Sequence, residues 1–242
     1  MKNQKERLED LQYKGLKIYQ NKDLYCFTSD AVTLANFAKI KRGDKVCDFC
    51  SGSGIIAILI SAKNEPSEIY AVEIQDEMFE LLQKNIELNH IENIKPILGD
   101  VKEFSKQIPA GSVDVVVCNP PYKKKGASFH NENQVVAMAR HEIKLDLSSL
   151  LESVKSVLKF GGRFYVSYDA NRSVELLANL KAFELEPKRM FFAQPSSTKN
   201  ATLVFVEAVR GGKEGVEVLP TLISNDKDGN YVQNIFDNYR RK

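Results

Sequence analysis

The chain has 242 residues, of which 43% are hydrophobic and 27% charged, as is usual for a globular protein with a substantial core. A formal net charge of +2 gives no case for nucleic-acid binding by itself, so any basic surface would be local. The charged N-terminus lacks a signal-peptide apolar segment, and the longest apolar run, Ile55 to Ile60, is far below the roughly 20 residues that span a bilayer. These features predict a cytoplasmic protein without a membrane segment.

The N-terminal part predicts a hairpin and a helix ahead of the main fold. Two short strand-like runs between Leu16 and Phe27 flank Asn21-Lys22-Asp23, which is typical of a turn. Thr28-Ser29-Asp30 are helix-capping residue types, and apolar residues follow them at helical spacing as far as Ile40. We expect one domain over 1–242, with this extension in 1–43, the core fold in 44–210 and a tail in 211–242.

Buried-strand and amphipathic-helix patterns then alternate along the chain. Strands are predicted at 45–49, 69–72, 94–98, 114–118, 163–168, 187–193 and 201–209, and helices at 55–62, 76–89, 147–158 and 173–180. This alternation predicts an α/β fold with a doubly wound, mostly parallel sheet. The polar stretch 123–146 predicts a functional loop, and the tail predicts a strand at 216–219 and a helix near 233–240.

A glycine loop follows the first core strand and leaves two cofactors open. Gly52 to Ala57 satisfies G-x-G-x-x-A, and Glu73 ends the next strand where the ribose-binding acid of a dinucleotide site would stand. However, Asp48 and Asp100 end two other strands, and both would repel a pyrophosphate. An acid at Asp48 suits a cationic amino group and one at Asp100 suits an adenine amine. The pattern therefore favours S-adenosylmethionine over NAD.

Asn119-Pro120-Pro121-Tyr122 ends the apolar run that begins at Asp114. Prolines cannot continue a β-ladder, so this motif is delivered at the carboxyl end of a buried strand, where open α/β sheets bind ligands. The Asn119 side chain and the Pro120 carbonyl are acceptors, and Tyr122 offers a flat ring. Together they suit a planar group bearing an amine, although a simple strand-ending turn is the alternative.

The cysteines raise the question of a metal or a redox site. Cys47 and Cys50 form a C-x-x-C, and the expected sheet order brings Cys118 near them. No histidine lies nearby in sequence to complete four ligands. We therefore predict ordinary buried or loop thiols and no metal.

These motifs together resemble a class I methyltransferase of the amino-methylating type. More closely, the stretch from Leu16 to Leu222 resembles the bacterial tRNA-valine adenine-N6 methyltransferases, including Thr28-Ser29-Asp30 and Ala139-Arg140-His141-Glu142. The resemblance implies a Rossmann-like sheet of seven strands with helices on both faces, S-adenosylmethionine as cofactor with S-adenosylhomocysteine as product, and tRNA as partner. The adenine next to the anticodon would be the target, and no obligate protein partner is implied.

The resemblance also assigns roles to residues. The catalytic residues would be Asn119, Pro120, Pro121 and Tyr122. The cofactor would contact Thr28, Asp30, Asp48, Cys50, Gly52, Gly54, Glu73, Ile74, Asp100, Val101 and Asn119. The substrate would contact Tyr122, Lys123, Lys124, Lys125 and Arg140, with Lys188, Arg189 and Lys199 expected near the same rim. The family's loop begins with glycine where this chain has Cys50, whose side chain is expected to narrow the pocket or to require a right-handed turn.

Two other functions remain open from the motifs. A protein-glutamine methyltransferase acting on release factors uses the same four-residue tip, but its preceding helical domain has no room in the residues before the first core strand. The chain is alternatively a non-catalytic scaffold that binds the cofactor.

Overall fold

The computed structural model describes residues 6–120 and 145–225. Its strands are β1 (Glu6–Asp10), β2 (Lys17–Asn21), β3 (Lys45–Phe49), β4 (Glu68–Glu73), β5 (Ile94–Leu98), β6 (Val113–Cys118), β7 (Leu158–Asp169), β8 (Leu185–Gln194), β9 (Leu203–Arg210), β10 (Glu217–Val218) and β11 (Leu222–Ile223). Its helices are α1 (Ser29–Phe37), α2 (Ile55–Asn64), α3 (Asp76–Leu88), α4 (Val101–Gln107), α5 (Leu147–Val157) and α6 (Ser173–Ala182).

The main sheet has the strand order β10-β8-β9-β7-β6-β3-β4-β5, and β11 also pairs with β8. Strands β3 to β7 are parallel to their neighbours within this group, whereas β9 is antiparallel to both β7 and β8. The predicted doubly wound, mostly parallel sheet is therefore confirmed. Its seven expected strands correspond to β3 to β9, and the short strands β10 and β11 extend the β8 side.

Strand β6 lies in the middle of the sheet, and this position accounts for its apolar composition. Val115, Val116, Val117 and Cys118 are all fully buried. Successive side chains of a strand point to opposite faces, so both faces of the sheet are covered at this point. The continuous apolar run that predicted a doubly covered strand follows directly from this position.

The predicted N-terminal hairpin is only half right. Strand β2 exists and a turn follows it, where the Asn21 side chain accepts a hydrogen bond from the Asp23 backbone N–H at 3.0 Å. However, β2 pairs antiparallel with the preceding strand β1, not with the segment after the turn. The sequence of β1, Glu-Arg-Leu-Glu-Asp, is polar on both faces and carries no alternating pattern, so it was not recognised as a strand.

Asn85 of α3 and Asn89, the residue that caps the C-terminus of this helix, hold the hairpin against the fold. The buried Asn85 side chain accepts from the Tyr19 N–H at 2.7 Å and donates to the Tyr19 carbonyl at 3.1 Å and to the Ser53 carbonyl at 3.0 Å. Asn89 makes the same pair of bonds with Lys17, at 3.0 and 2.7 Å. The two carboxamides thus make the backbone hydrogen bonds that a second neighbouring strand would otherwise make with β2. Asn85 also joins the hairpin to the glycine loop.

Helix α4 was missed by the sequence prediction. Asp100 caps it, with its carboxylate accepting from the Lys102 N–H at 2.9 Å, and Val101 and Phe104 face the core. A helix of two turns with two buried apolar residues gives little periodic signal. Phe104 packs edge-on against Phe49 of β3, so α4 is held by the sheet.

Nearly all buried apolar residues of the described ranges belong to one contiguous cluster. None of the helices seen in these ranges has the length and apolar character needed to cross a membrane. The predicted loop at 123–146 lies almost wholly outside the described residues, and the helix near 233–240 lies entirely outside them. The division into one domain with a tail stays a prediction.

Gly54 is expected to tolerate no side chain, because two penalties coincide there. Its φ is +88°, and an added Cβ would lie 2.5 Å from Leu82 Cδ1 of α3. Left-handed backbone costs an L-residue roughly 1–2 kcal/mol and overpacking costs roughly 1–3 kcal/mol. Gly54→Ala should therefore lower the free energy of unfolding, measured in urea, by about 2–5 kcal/mol.

Gly43 provides the matched control, since its φ is +83° but an added Cβ would meet nothing within 4 Å. Gly43→Ala should show the backbone penalty alone. Equal losses in the two variants would mean that Leu82 yields freely and that the close packing of the loop on α3 contributes nothing.

Candidate active site

Polar groups from four neighbouring strands and the segments that follow them meet at the carboxyl edge of the sheet. Phe49 of β3 is in register with Val72 of β4 and with Cys118 of β6, and Glu73 is in register with Leu98. The residues beyond these strand ends therefore stand side by side in the order Asp100, Glu73, glycine loop, Asn119. Three inter-strand steps of about 4.8 Å give a row of about 14 Å. The edge fits an elongated ligand.

Asp48 lies beneath the glycine loop and is fully buried. Its Oδ2 accepts from the Ser51 hydroxyl at 2.8 Å and from the Ala57 N–H at 3.2 Å, whereas its Oδ1 is buried without a partner among the described residues. Burial raises the pKa of Asp48 to about 7, against the lowering effect of its bonds to Ser51 and Ala57, and the nearby Glu73 adds to the rise. An unsatisfied carboxylate oxygen at this depth suits a cationic ligand group.

The raised pKa of Asp48 predicts a pH-dependent stability. Between its ordinary value of 3.8 and about 7, the folded chain binds more protons than the unfolded chain at this site. The free energy of unfolding therefore falls as the pH rises through this interval and levels off above it. Asp48→Asn should remove this contribution. Thermal unfolding of the cofactor-free wild type and variant between about pH 5 and 8 tests it, and parallel curves would contradict it.

Glu73 ties the glycine loop to the end of β4. Its carboxylate accepts from the N–H groups of Gly52, Ile74 and Gln75, each at 2.9 Å. The residue is only 4% exposed, and Gly52 has a φ of +57° that brings its N–H toward β4. A carboxylate has about four acceptor positions, so at least one remains for a ligand hydroxyl. The sequence predicted this residue, but not its hold on the loop.

The residues after β4 and β5 offer apolar surface beside an acceptor. Ile74 is half-buried, Val101 is buried, and Leu98 is 46% exposed at the same edge. The Asp100 carboxylate accepts from the Lys102 N–H at 2.9 Å and its other oxygen lies 3.5 Å from Lys102 Nζ. Aliphatic side chains next to a partly exposed carboxylate suit a heteroaromatic ring that carries an amine.

Asn119 stands at the end of β6, half-buried, and Pro120 beside it is buried. The side-chain carbonyl oxygen of Asn119 accepts a hydrogen bond of 2.5 Å from the hydroxyl of Ser167, a fully buried residue on β7. Ser167 was missed by sequence reasoning. A single small polar residue among the large side chains of Phe164–Tyr168, on a strand next to the motif strand, was the signal that could have found it.

Cys50 begins the loop with a left-handed backbone, at φ +59°. The expectation that a side chain there requires a right-handed turn is therefore wrong, because the strand-to-loop geometry imposes the conformation on the residue. Its thiol lies beside that of Cys118, and burial, Cys50 and Asp48 together raise the pKa of Cys118. Burial likewise raises the pKa of Cys47, so neither buried thiol is inclined to ionise. No cluster of metal-binding side chains occurs within 6–120 and 145–225.

Thr28 and Asp30 lie at the start of α1, where the Thr28 hydroxyl donates to the Asp30 carboxylate. They line a cavity of about 330 Å³ with Thr33 and with residues of β8 and β9, among them Ala193, Leu203 and Phe205. Asp48, Gly52 and Glu73 are not among the described residues that line it. The structure thus places both residues toward the β8 side, and their contact with the cofactor stays a prediction.

The structure removes two of the predicted basic residues from the rim of the site. Lys188 donates to the carbonyls of Lys213 and Gly215, at 2.9 and 2.8 Å, and Arg189 forms an ion pair with the buried Glu207. Both lie in the first half of β8, away from the carboxyl edge, so their predicted place at the rim is wrong. Lys199 is exposed in the segment between β8 and β9, beyond the carboxyl end of β8, and its place at the rim stays a prediction. Six further predicted residues lie outside the described ranges: Pro121, Tyr122, Lys123, Lys124, Lys125 and Arg140.

Comparison with known proteins identifies the fold. The structure superposes on a predicted O-methyltransferase from Agrobacterium tumefaciens with a TM-score of 0.68, at 17% identity, covering 87% of this chain and 96% of the other. It also superposes on M. jannaschii TYW2 in complex with AdoMet with a TM-score of 0.56, at 15% identity, covering 85% and 87%. The chain has the class I methyltransferase fold. Residues 28–139 match the TRM5/TYW2 methyltransferase domain family.

Several sequence relatives of this chain carry the name tRNA1(Val) (adenine(37)-N6)-methyltransferase. The protein from Shewanella sediminis is 30% identical over 139 residues, a match that spans only 56% of each chain. The proteins from Dyadobacter fermentans and a Flavobacteriaceae bacterium are 25% and 24% identical over 90% and 81% of this chain, covering 89% and 87% of their own lengths. The resemblance that the motifs predicted is confirmed.

The site of this methyltransferase fold fits S-adenosylmethionine. Asp48 offers a buried, unsatisfied carboxylate oxygen for the amino group, and Glu73 keeps acceptor capacity for the ribose hydroxyls. At the end of the row lie Asp100, Ile74 and Val101, which would contact the adenine. In a dinucleotide site Asp48 and Asp100 would repel the pyrophosphate, so the NAD alternative is disfavoured by charge.

Proposed function

We propose that the protein is an S-adenosylmethionine-dependent methyltransferase that modifies the exocyclic N6 amine of an adenine in tRNA, next to the anticodon of a valine tRNA. The single observation that carries the proposal is the position of Asn119 and Pro120. They follow β6 directly, beside the glycine loop that follows β3, so their acceptors adjoin the cofactor row. The names of the relatives support the choice of tRNA. Such a substrate would place the enzyme in the cytoplasm.

The chemistry required of the chain is modest. The bound cofactor supplies an electrophilic methyl group on a sulfonium. An adenine amine is a weak nucleophile because its lone pair is delocalised into the ring, so the protein must favour a pyramidal nitrogen. The Asn119 side-chain oxygen and the Pro120 carbonyl can each accept one N–H of the amine, which leaves the lone pair facing the methyl. Both hydrogen bonds strengthen as positive charge develops on nitrogen, and they therefore stabilise the transition state. The methylated nitrogen would then lose one proton to water at the open edge, which gives the neutral N6-methyl product.

Target access requires the adenine to leave its stack. Tyr122 follows the two prolines and would return roughly 1–3 kcal/mol by stacking on the extruded base. Lys123, Lys124 and Lys125 would contact phosphates, and Arg140 would position the RNA. These four basic residues and Tyr122 enter the proposal from the sequence.

The deciding experiment is transfer of labelled methyl groups from S-adenosylmethionine to separate RNA, DNA and protein fractions, with nucleoside and amino-acid analysis of the products. Label in N6-methyladenosine from the tRNA fraction supports the proposal, and tRNA from a strain lacking the gene should be the best acceptor. Label in N5-methylglutamine would establish the protein-methylating alternative. Binding of the cofactor without transfer to any fraction would favour the non-catalytic scaffold.

A further inference from the structure

The amide oxygen of Asn119 is already engaged before any substrate binds. It accepts a hydrogen bond from the Ser167 hydroxyl, with the two oxygen atoms 2.5 Å apart. The contact follows from the sheet, because Cys118 of β6 is in register with Val166 of β7, and Asn119 and Ser167 are the next residues on these two parallel strands. Ser167 is fully buried, whereas Asn119 is half-buried and reaches the open edge.

We propose that Ser167 is a positioning residue that fixes the Asn119 carboxamide with its oxygen toward the target amine. The role rests on the proposed amine methylation. A carboxamide has an accepting end and a donating end, and rotation about its last bond is loosely restrained. If the NH2 end faced the substrate, it would oppose the N–H groups that must be accepted. A donor anchored in the neighbouring strand holds the oxygen end in place.

The Asn119 side-chain oxygen can accept both hydrogen bonds at once. A carbonyl oxygen has two lone pairs, so one can take the Ser167 hydroxyl while the other takes an N–H of the amine. Because Ser167 is buried in the sheet, water does not compete for the hydroxyl. The arrangement prepares the acceptor in advance, which is the condition for a hydrogen bond to favour the transition state.

Ser167→Ala should therefore lower kcat by roughly 3- to 10-fold, as expected for one hydrogen bond, and leave the KM for S-adenosylmethionine unchanged. Ser167→Thr keeps the hydroxyl and should recover most of the rate. Ser153→Ala is the control, since Ser153 is also buried and donates at 2.9 Å to the Ser149 carbonyl within α5. It should not change kcat. Thermal unfolding of all three variants verifies that they are folded.

A double-mutant cycle separates positioning from general support of the fold. If Ser167 acts through Asn119, adding Ser167→Ala to Asn119→Ala should cause no further loss in single-turnover rate. The same fractional loss in both backgrounds would overturn the proposal, because the effect would then not pass through the carboxamide.

A readout without turnover keeps this inference separate from the proposed function. Nitrogen-15 relaxation of the Asn119 side-chain NH2 should show an ordered group in the cofactor-free wild type and a lower order parameter in Ser167→Ala. Unchanged order would overturn the positioning role whatever the substrate proves to be. Absence of methyl transfer by the wild type, with the order parameter responding as expected, would instead reject the proposed reaction alone.

Discussion

Asn119→Ala should reduce the rate of methyl transfer by roughly 10²–10³-fold while leaving the affinity for S-adenosylmethionine nearly unchanged. The reason is that its side-chain oxygen accepts the amine N–H whose hydrogen bond strengthens as the nitrogen becomes positive. Cofactor affinity depends mainly on the acids and glycines of β3 to β5, which the substitution does not touch. Single-turnover methylation and isothermal titration with the cofactor measure the two quantities separately.

Asn179→Ala is a suitable control for this experiment. Asn179 lies in α6 and donates to the Glu175 carbonyl at 2.8 Å on the surface of the helix. Its loss should leave both quantities at the wild-type values. An Asn119→Ala protein that methylates at the normal rate would eliminate the proposed mechanism, since no other described side chain at the end of β6 could replace the missing acceptor.

Glu73→Ala should weaken S-adenosylmethionine binding by about 10²-fold and also destabilise the cofactor-free protein. A hydrogen bond to a charged group is worth about 1.5–3 kcal/mol, and the cofactor would lose the one that the remaining acceptor position of Glu73 can make with a ribose hydroxyl. The N–H groups of Gly52, Ile74 and Gln75 would also lose their acceptor, and this costs roughly 1–3 kcal/mol for each donor that water cannot reach. Titration calorimetry and urea unfolding detect the two effects.

Glu68→Ala tests whether the effect belongs to the carboxyl edge. Glu68 begins the same strand that Glu73 ends, and it lies near Lys45 at 3.4 Å and beside Lys95. Surface ion pairs contribute about 0–1 kcal/mol, so this variant should bind the cofactor normally and unfold nearly as the wild type. Full cofactor affinity in Glu73→Ala would exclude Glu73 from the binding site, whatever its effect on the loop.

The sequence was most informative where a buried strand ends abruptly. An apolar run followed by Asn119-Pro120, or by the loop that contains Gly52 and Gly54, identifies a buried strand. It also shows which end of that strand faces the ligand site. Parallel strands place such ends together, so the composition of the row could be predicted without coordinates. The order of its members along the edge required the observed registers.

What escaped prediction depends on contacts made between distant segments. Strand β1 has four charged residues and one exposed leucine, and it forms beside β2, which is held in place by Asn85 and Asn89, some seventy residues away. Ser167 looked like an incidental polar residue until its strand was paired beside β6. Arg189 looked like a basic surface residue, but the register places it opposite Glu207. No local pattern encodes these pairings, because each is decided by which strands become neighbours.

The carboxamide of Asn85 has a consequence for any shortened form of the chain. Removal of the hairpin would leave its two bonds to Tyr19 unmade and leave only the one to Ser53, within the glycine loop. A cut ahead of residue 22 should thus loosen the carboxyl edge indirectly, although it deletes none of the described residues that form that edge. The β1–β2 hairpin is therefore expected to stabilise the glycine loop, and a shortened variant should retain it.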